Sequence, residues 1–266
     1  LIAYGVFDLN AEGTEKLLGG GRYTDGEYLG FDPGQITEYV KYSRYTAASG
    51  DVNPSVGVTE PDMDKDEAYS WVKSPRYDEK VHEAGPLARM FVSYLAGEPT
   101  VVALVDFVLG HFGATADALF SVLGRHAARA LETKFVADSM AGWLDALVVG
   151  DPVYEYSAIP EVASGIGLTE APRGALGHWI DVSRGKISRY QVITPTAWNA
   201  SPRDDLDQMG PIEQGLIGTP VADVDQPVEV LRVVHSFDPC LACAVHLYDE
   251  HGNHLSRVSN VGSCDV

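Results

Sequence analysis

Cys240 and Cys243 sit three residues apart in the run Phe237-Asp238-Pro239-Cys240-Leu241-Ala242-Cys243-Ala244-Val245-His246. A Cys-x-x-Cys pair serves zinc, iron–sulfur clusters, redox disulfides and plain core packing alike, so its surroundings must discriminate. The histidine follows Cys243 by three residues, which excludes the usual c-type haem attachment pattern. No second Cys-x-x-Cys or paired-histidine spacing completes a zinc site, and no strand–helix unit of thioredoxin type surrounds the pair. The third cysteine, Cys264, also falls in the last tenth of the chain. Three cysteines so placed are too few for a disulfide framework and point to a local metal or redox site.

The elements that must carry such a site are partly legible. Residues 1–65 are rich in Gly, Tyr and Asp and divided by Gly19–Gly21 and Asp32-Pro33-Gly34, which predicts irregular structure with short strands. From Pro86, Leu87, Met90, Phe91, Tyr94 and Leu95 recur at helical spacing, with proline at the first turn and Gly97 as the stop. Leu119, Leu123, Ala127, Ala130, Leu131, Phe135, Met140, Trp143, Leu144 and Leu147 predict a long core helix over about 115–149, with a break near Gly142. Its His126, between Arg125 and Arg129, reads as a structural or interface residue rather than a ligand. Trp179–Val182 and Ile187–Val192 flank Ser183-Arg184-Gly185-Lys186 as a hairpin, 195–220 reads as loop, and Val228–Val234 as a short helix or strand. The fold class is therefore mainly α with small β hairpins, α+β in kind.

The chain has 266 residues, enough for one large or two smaller cores. Its formal charge of −19, from 38 acidic and 19 basic residues, argues against nucleic acid as a partner. No apolar run reaches a membrane span, since Val101–Phe112 is interrupted by Asp106 and His111. Leu1 heads what reads as interior chain without a signal segment, so a fragment or processed piece is expected.

The Phe237–His246 run resembles the distal motif of the nickel–iron hydrogenase large subunit: an aromatic, Asp-Pro-Cys, two residues, Cys, two or three residues, then His. Further blocks look like those of the family and in family order: Tyr69–Tyr77, Gly85–Arg89, Leu123–Arg125, Glu170–Trp179 and Pro195–Asp204. The resemblance covers essentially residues 30–260. It implies a hydrogenase large-subunit-like fold with long core helices and the metal motif near the carboxy terminus. It also implies reversible heterolytic oxidation of dihydrogen, with electrons passing to an iron–sulfur small subunit.

The resemblance further implies that Cys240 is a terminal nickel ligand and that Cys243 bridges nickel to an iron carrying cyanide and carbon monoxide. Thiolates are soft donors suited to both metals, and a terminal thiolate can accept the proton released when dihydrogen is cleaved. Arg173 would overhang the open metal positions, with Pro172 setting its backbone and Asp238 orienting it. Thr196 would hydrogen-bond a cyanide. His246 would bind a magnesium or iron ion with a glutamate from the amino-terminal half and a main-chain carbonyl placed near Val192.

Two departures from the family follow. The amino-terminal Cys-x-x-Cys pair needed to complete the centre is absent, so an amino-terminal half of the large subunit is an expected partner. Residues 247–266 extend beyond His246, the expected end of the domain, and imply a precursor processed by a maturation endopeptidase after nickel-insertion factors have acted. Cys264 in that extension reads as incidental. The resemblance places the protein on the periplasmic side of the membrane through partner subunits, with a cytoplasmic location left open. The competing readings are a hydrogenase-like non-catalytic subunit of a quinone-reducing respiratory complex, and a structural zinc module on Cys240, Cys243 and His246.

Overall fold

The computed structural model describes residues 1–240, except 11, 12, 153 and 155, together with the backbone of Ala244–Tyr248 and His254–Ser259. The glycine-divided first part forms short strands, as its punctuation predicts: β1 (Ile2–Ala3), β2 (Val6–Asp8), β3 (Lys16–Leu18), β4 (Gly21–Thr24), β5 (Glu27–Leu29), β6 (Ile36–Tyr39) and β7 (Ser74–Tyr77). They pair antiparallel in the order β1-β4-β5, with β2-β3 and β6-β7 as separate pairs.

Three helices follow: α1 (Pro86–Leu95), α2 (Pro99–Phe112) and α3 (Val122–Asp145). Pro86 and Pro99 open their helices where a missing N–H costs nothing. The Glu98 side chain caps α2 by accepting from the Val101 amide, and the Ser121 hydroxyl caps α3 by accepting from the Gly124 amide at 3.0 Å. Leu87, Met90 and Phe91 of α1 pack with Val101 and Val105 of α2 and with Leu131 and Phe135 of α3.

The long stripe predicted for α3 is core only in its first half. Its buried face is Gly124, Ala128, Leu131 and Phe135, so Leu123 lies one position off the seam and is 76 % exposed. Beyond Phe135 the helix runs past α1, leaving Met140, Leu144 and Leu147 exposed, and it continues unbroken through Gly142. The helix starts at Val122 because a 3-10 turn, Ala116–Leu119, occupies the stretch before it.

A three-stranded antiparallel sheet of β8 (Val162–Ala171), β9 (Gly174–Ser183) and β10 (Lys186–Ile193) has β9 at its centre. The predicted hairpin is present: Arg184 and Gly185 form its turn, both with left-handed φ of 54° and 68°, as a two-residue hairpin loop demands. β8 escapes a reading by periodicity because Gly165 and Gly167 break its alternation. Its ten residues replace the mainly α expectation with a more even mixture of helix and sheet within the α+β class.

The stretch expected as loop contains α4 (Pro195–Asn199) and α5 (Pro211–Leu216), each opened by proline, and the segment before the cysteines is helical, α6 (Val228–Ser236). β11 (Ala244–Tyr248) and β12 (His254–Ser259) pair antiparallel, so position 246 lies within β11. No single described helix is long and apolar enough to cross a membrane; α1 and α2 reach that length only as a pair bent by 108°.

Candidate metal centre

The separate sequence blocks meet at one face, joined by buried arginines. Arg76 of β7 has no solvent exposure, and its guanidinium is saturated. It donates to Asp204 Oδ2 at 2.6 Å, to Ser201 Oγ at 3.0 Å and to the carbonyls of Pro75, Pro202 and Gln208. All five N–H donors of an arginine are thereby used, joining the Tyr69–Tyr77 block to the Pro195–Asp204 block. Asn199 joins the same block to the start of α1, accepting from the Ala84 amide at 2.9 Å and donating to the Ala84 carbonyl at 2.8 Å. Trp198 fills the interior between them.

Arg89 of α1 is saturated in the same way. Its Nε and Nη2 donate to the two oxygens of Glu132 on α3, the latter at 2.7 Å, and Nη1 donates to Glu170 Oε2 on β8 at 2.8 Å. The remaining donors reach the carbonyls of Ala171 at 3.0 Å and Pro172 at 2.8 Å. Burial pushes the Glu170 carboxyl up to about 7, against the opposing pull of Arg89 and of the Tyr4 amide, which donates to it at 2.6 Å.

Pro172 and Arg173 form the two-residue turn from β8 to β9, since Ala171 pairs with Gly174. The turn crosses the start of α1 so closely that a Cβ on Gly174 would meet the Gly85 nitrogen at 2.5 Å. Gly174 also has φ +133°, so glycine is required there twice over.

The cysteine motif is a helix terminator. Phe237 is the C-cap of α6, Asp238 takes the left-handed conformation at φ 51° with its amide bonded to the His235 carbonyl, and Pro239 stops the helix. Arg125 clamps this end: it lies 3.8 Å over the Phe237 ring and makes a bidentate pair with Glu83 at 2.7 and 2.8 Å. In the Leu123-Gly124-Arg125 block, Gly124 is needed because a Cβ there would meet the Leu119 carbonyl oxygen at 2.2 Å.

Cys240 emerges from the terminator exposed, its amide donating to Thr196 Oγ1 at 3.0 Å. Asp238 faces Arg173, Oδ1 to Nε at 3.6 Å, with both side chains about 40 % exposed. Arg173 Nε is buried without a hydrogen-bond partner among the described residues. A cleft of about 510 Å³ beside this pair is lined by Phe7, Pro86, Arg89, Glu132, Pro172 and Asp238.

Five of the residues singled out from sequence thus assemble in one place: Pro172, Arg173, Thr196, Asp238 and Cys240. Val192 lies near the end of β10, opposite His178 and four residues before Thr196. Cys243, Cys264 and the side chain of His246 lie outside the described residues. Among the described residues no three His, Cys, Asp or Glu side chains cluster as a metal site. The sequence reading assigned no role to Glu132, Glu170 or Glu83, whose partners are 42 to 81 residues distant, although Glu170 lies inside a quoted block.

A thiol presented next to a guanidinium with an unused buried donor fits a thiolate-held metal centre whose further ligands accept hydrogen bonds. The sequence profile of nickel-dependent hydrogenases matches residues 1–246, and the chain belongs to that family. Within it, the similarity is to large subunits. The chain is 44 % identical to the periplasmic [NiFeSe] hydrogenase large subunit of Desulfomicrobium baculatum, over 93 % of this chain and 49 % of that one. It is 39 % identical to the uptake hydrogenase large subunit of Rhizobium leguminosarum bv. viciae, over 85 % and 43 %. The solved Ni-Fe-Se hydrogenase of D. vulgaris Hildenborough superposes with a TM-score of 0.82 at 40 % identity, covering 91 % of this chain and 51 % of that one. The chain spans about half the length of the relatives it matches.

Proposed function

We propose that this chain is the carboxy-terminal part of the catalytic large subunit of a nickel–iron hydrogenase that oxidises dihydrogen reversibly to protons and electrons. The observation that carries the reading is the exposed Cys240 thiol two residues after Asp238, which faces Arg173, an arginine whose buried Nε has no hydrogen-bond partner among the described residues. Cys240 and Cys243 would hold a nickel–iron centre whose iron bears cyanide and carbon monoxide, and that centre supplies heterolytic cleavage of the H–H bond.

The chain's own residues do the rest. Cys240 Sγ holds the departing proton. Arg173 supplies a fixed positive charge over the site, and Asp238 orients that charge. Thr196 accepts from the Cys240 amide through its oxygen, which leaves its hydroxyl proton free to donate to a cyanide. His246 and the Val192 carbonyl would bind a structural magnesium or iron ion with a glutamate from the amino-terminal half. That half would also cover the exposed Met140 and Leu144 of α3 and Leu147 just beyond its end.

An iron–sulfur small subunit would take the electrons, on the periplasmic side of the membrane, after nickel-insertion factors and a maturation endopeptidase have acted. Anomalous scattering from the complete enzyme at the nickel edge tests this: nickel is expected within bonding distance of both thiolates, roughly 2.3 Å. One zinc per chain and no nickel would favour the zinc module. No metal at the cysteines would favour the non-catalytic respiratory subunit.

A further inference from the structure

We infer that Arg89 is a positioning residue for Arg173, holding the Pro172–Arg173 turn in place over the Cys240 segment; the inference rests on the reading of Arg173 just given. The Pro172 carbonyl that accepts from Arg89 at 2.8 Å belongs to the same planar peptide unit as the Arg173 amide nitrogen. Fixing that plane fixes the point from which the Arg173 side chain departs. The Ala171 carbonyl, one peptide earlier, is held at 3.0 Å by the same guanidinium.

Arg89 is itself immobilised, because its other donors are committed to Glu132 of α3 and Glu170 of β8, and Glu170 is tied in turn to the Tyr4 amide. Shifting the turn would therefore break charge-assisted bonds at a buried site and leave two carbonyls unpaired. Gly85 and Gly174 complete the arrangement by letting the turn lie directly on the start of α1, the helix that carries Arg89. Among the described residues nothing comparable holds the Arg173 guanidinium, whose ion pair to Asp238 spans 3.6 Å. Its placement is thus delegated to the backbone.

The complete enzyme is compared as wild type, Arg89→Lys, Glu132→Gln, Arg173→Lys and the Arg89→Lys/Arg173→Lys double variant. Lysine keeps the charge at position 89 but has no fork to reach both carbonyls. In Arg89→Lys crystals the Arg173 turn is expected to move by about 1 Å, with turnover falling about 10²-fold at unchanged nickel and iron content. In the Arg173→Lys background the same change should add little, because Arg89 acts through Arg173. Glu132→Gln, which leaves a neutral partner, should move the turn less and in the same direction, and it decides the matter if Arg89→Lys does not assemble. An unmoved turn, or losses that multiply independently in the double variant, overturns the inference. If Arg173→Lys alone keeps full turnover, the catalytic reading of Arg173 fails, while the position of the turn still reports whether Arg89 places it.

Discussion

Arg76, Arg89, Arg125 and Arg173 all sit in the sequence blocks that mark this family, yet they are spent differently. Arg76 and Arg89 have every donor engaged by the fold, and Arg125 is divided between Glu83 and the Phe237 ring. Arg173 keeps a buried Nε without a hydrogen-bond partner among the described residues. Replacing Arg173 with lysine should therefore lower turnover by about 10²–10³-fold, the usual loss for one preorganised electrostatic group. Nickel content and melting temperature should stay unchanged, checked by metal analysis and calorimetry alongside hydrogen oxidation. Arg76→Leu should do the opposite: it strands the buried Asp204 carboxylate, at a cost of about 3–5 kcal/mol. A denaturation midpoint close to wild type would show that the pair is not needed. At this scale the sequence pointed to Arg173, Asp238, Thr196 and Cys240 because each lies inside a recognisable motif. It was silent on Glu132 and Glu83 and gave Glu170 no role beyond its place in a block, because a carboxylate's partner is set by tertiary approach and has no local signature.

The elements that deliver these residues are turns and helix ends more than helix bodies. Asp238 ends α6 in the left-handed conformation that glycine usually supplies, which places a carboxylate where a glycine would offer none. Asp238→Gly should keep the helix end and lose the orientation of Arg173, so a structure of that variant should retain α6 and show a disordered guanidinium. Gly174→Ala combines a φ of +133° with a backbone clash against Gly85. Strain at such a position costs about 1–3 kcal/mol, and the clash adds to it. A lowered melting temperature is expected, and an unchanged one would mean that β9 can shift away from α1. Legibility followed local chemistry here as well. The helix at Pro86 and the Arg184-Gly185 hairpin carry strong local signals, whereas β8 lacks alternation and α4 and α5 are too short to show a period. The second half of α3 reads as core from its leucines, but burial depends on what lies opposite, and that is not written in the helix.

Over the whole molecule, a buried imidazole couples stability to pH at the acidic end. His82 is 1 % exposed, and burial pushes its imidazole down from 6.5 to about 3, with the amino-terminal ammonium and then the Arg22 and Lys80 cations adding to the effect and the hydrogen bond to the Lys80 carbonyl opposing it. Its Nδ1–H donates to the Lys80 carbonyl at 3.0 Å, and Nε2 has no hydrogen-bond partner among the described residues, so the buried native ring is neutral. Between pH 6.5 and about 3 the unfolded chain then binds a proton that the native chain does not, and stability falls as pH falls through that window. His82→Asn should remove this slope. The difference in unfolding free energy between wild type and variant, measured from pH 7 to 4, should shift steadily against wild type on acidification, and a constant difference would exclude the coupling. At the same scale, the intact mass of active enzyme should correspond to a chain ending at His246. Full activity with residues 247–266 retained would reject the processing reading.

The saturated guanidinium of Arg76 also sets a timetable. Its counter-ion, Asp204, lies 128 residues later in the chain, and the other acceptors, Ser201, Pro202 and Gln208, surround it there apart from the adjacent Pro75 carbonyl. A nascent chain that has passed β7 therefore carries a cation with nowhere dry to go until about residue 208 has been synthesised. The same wait applies to Ala84, whose amide and carbonyl are satisfied only by Asn199, 115 residues on. The face that receives the cysteine segment consequently cannot close until the chain through about residue 208 is available to it.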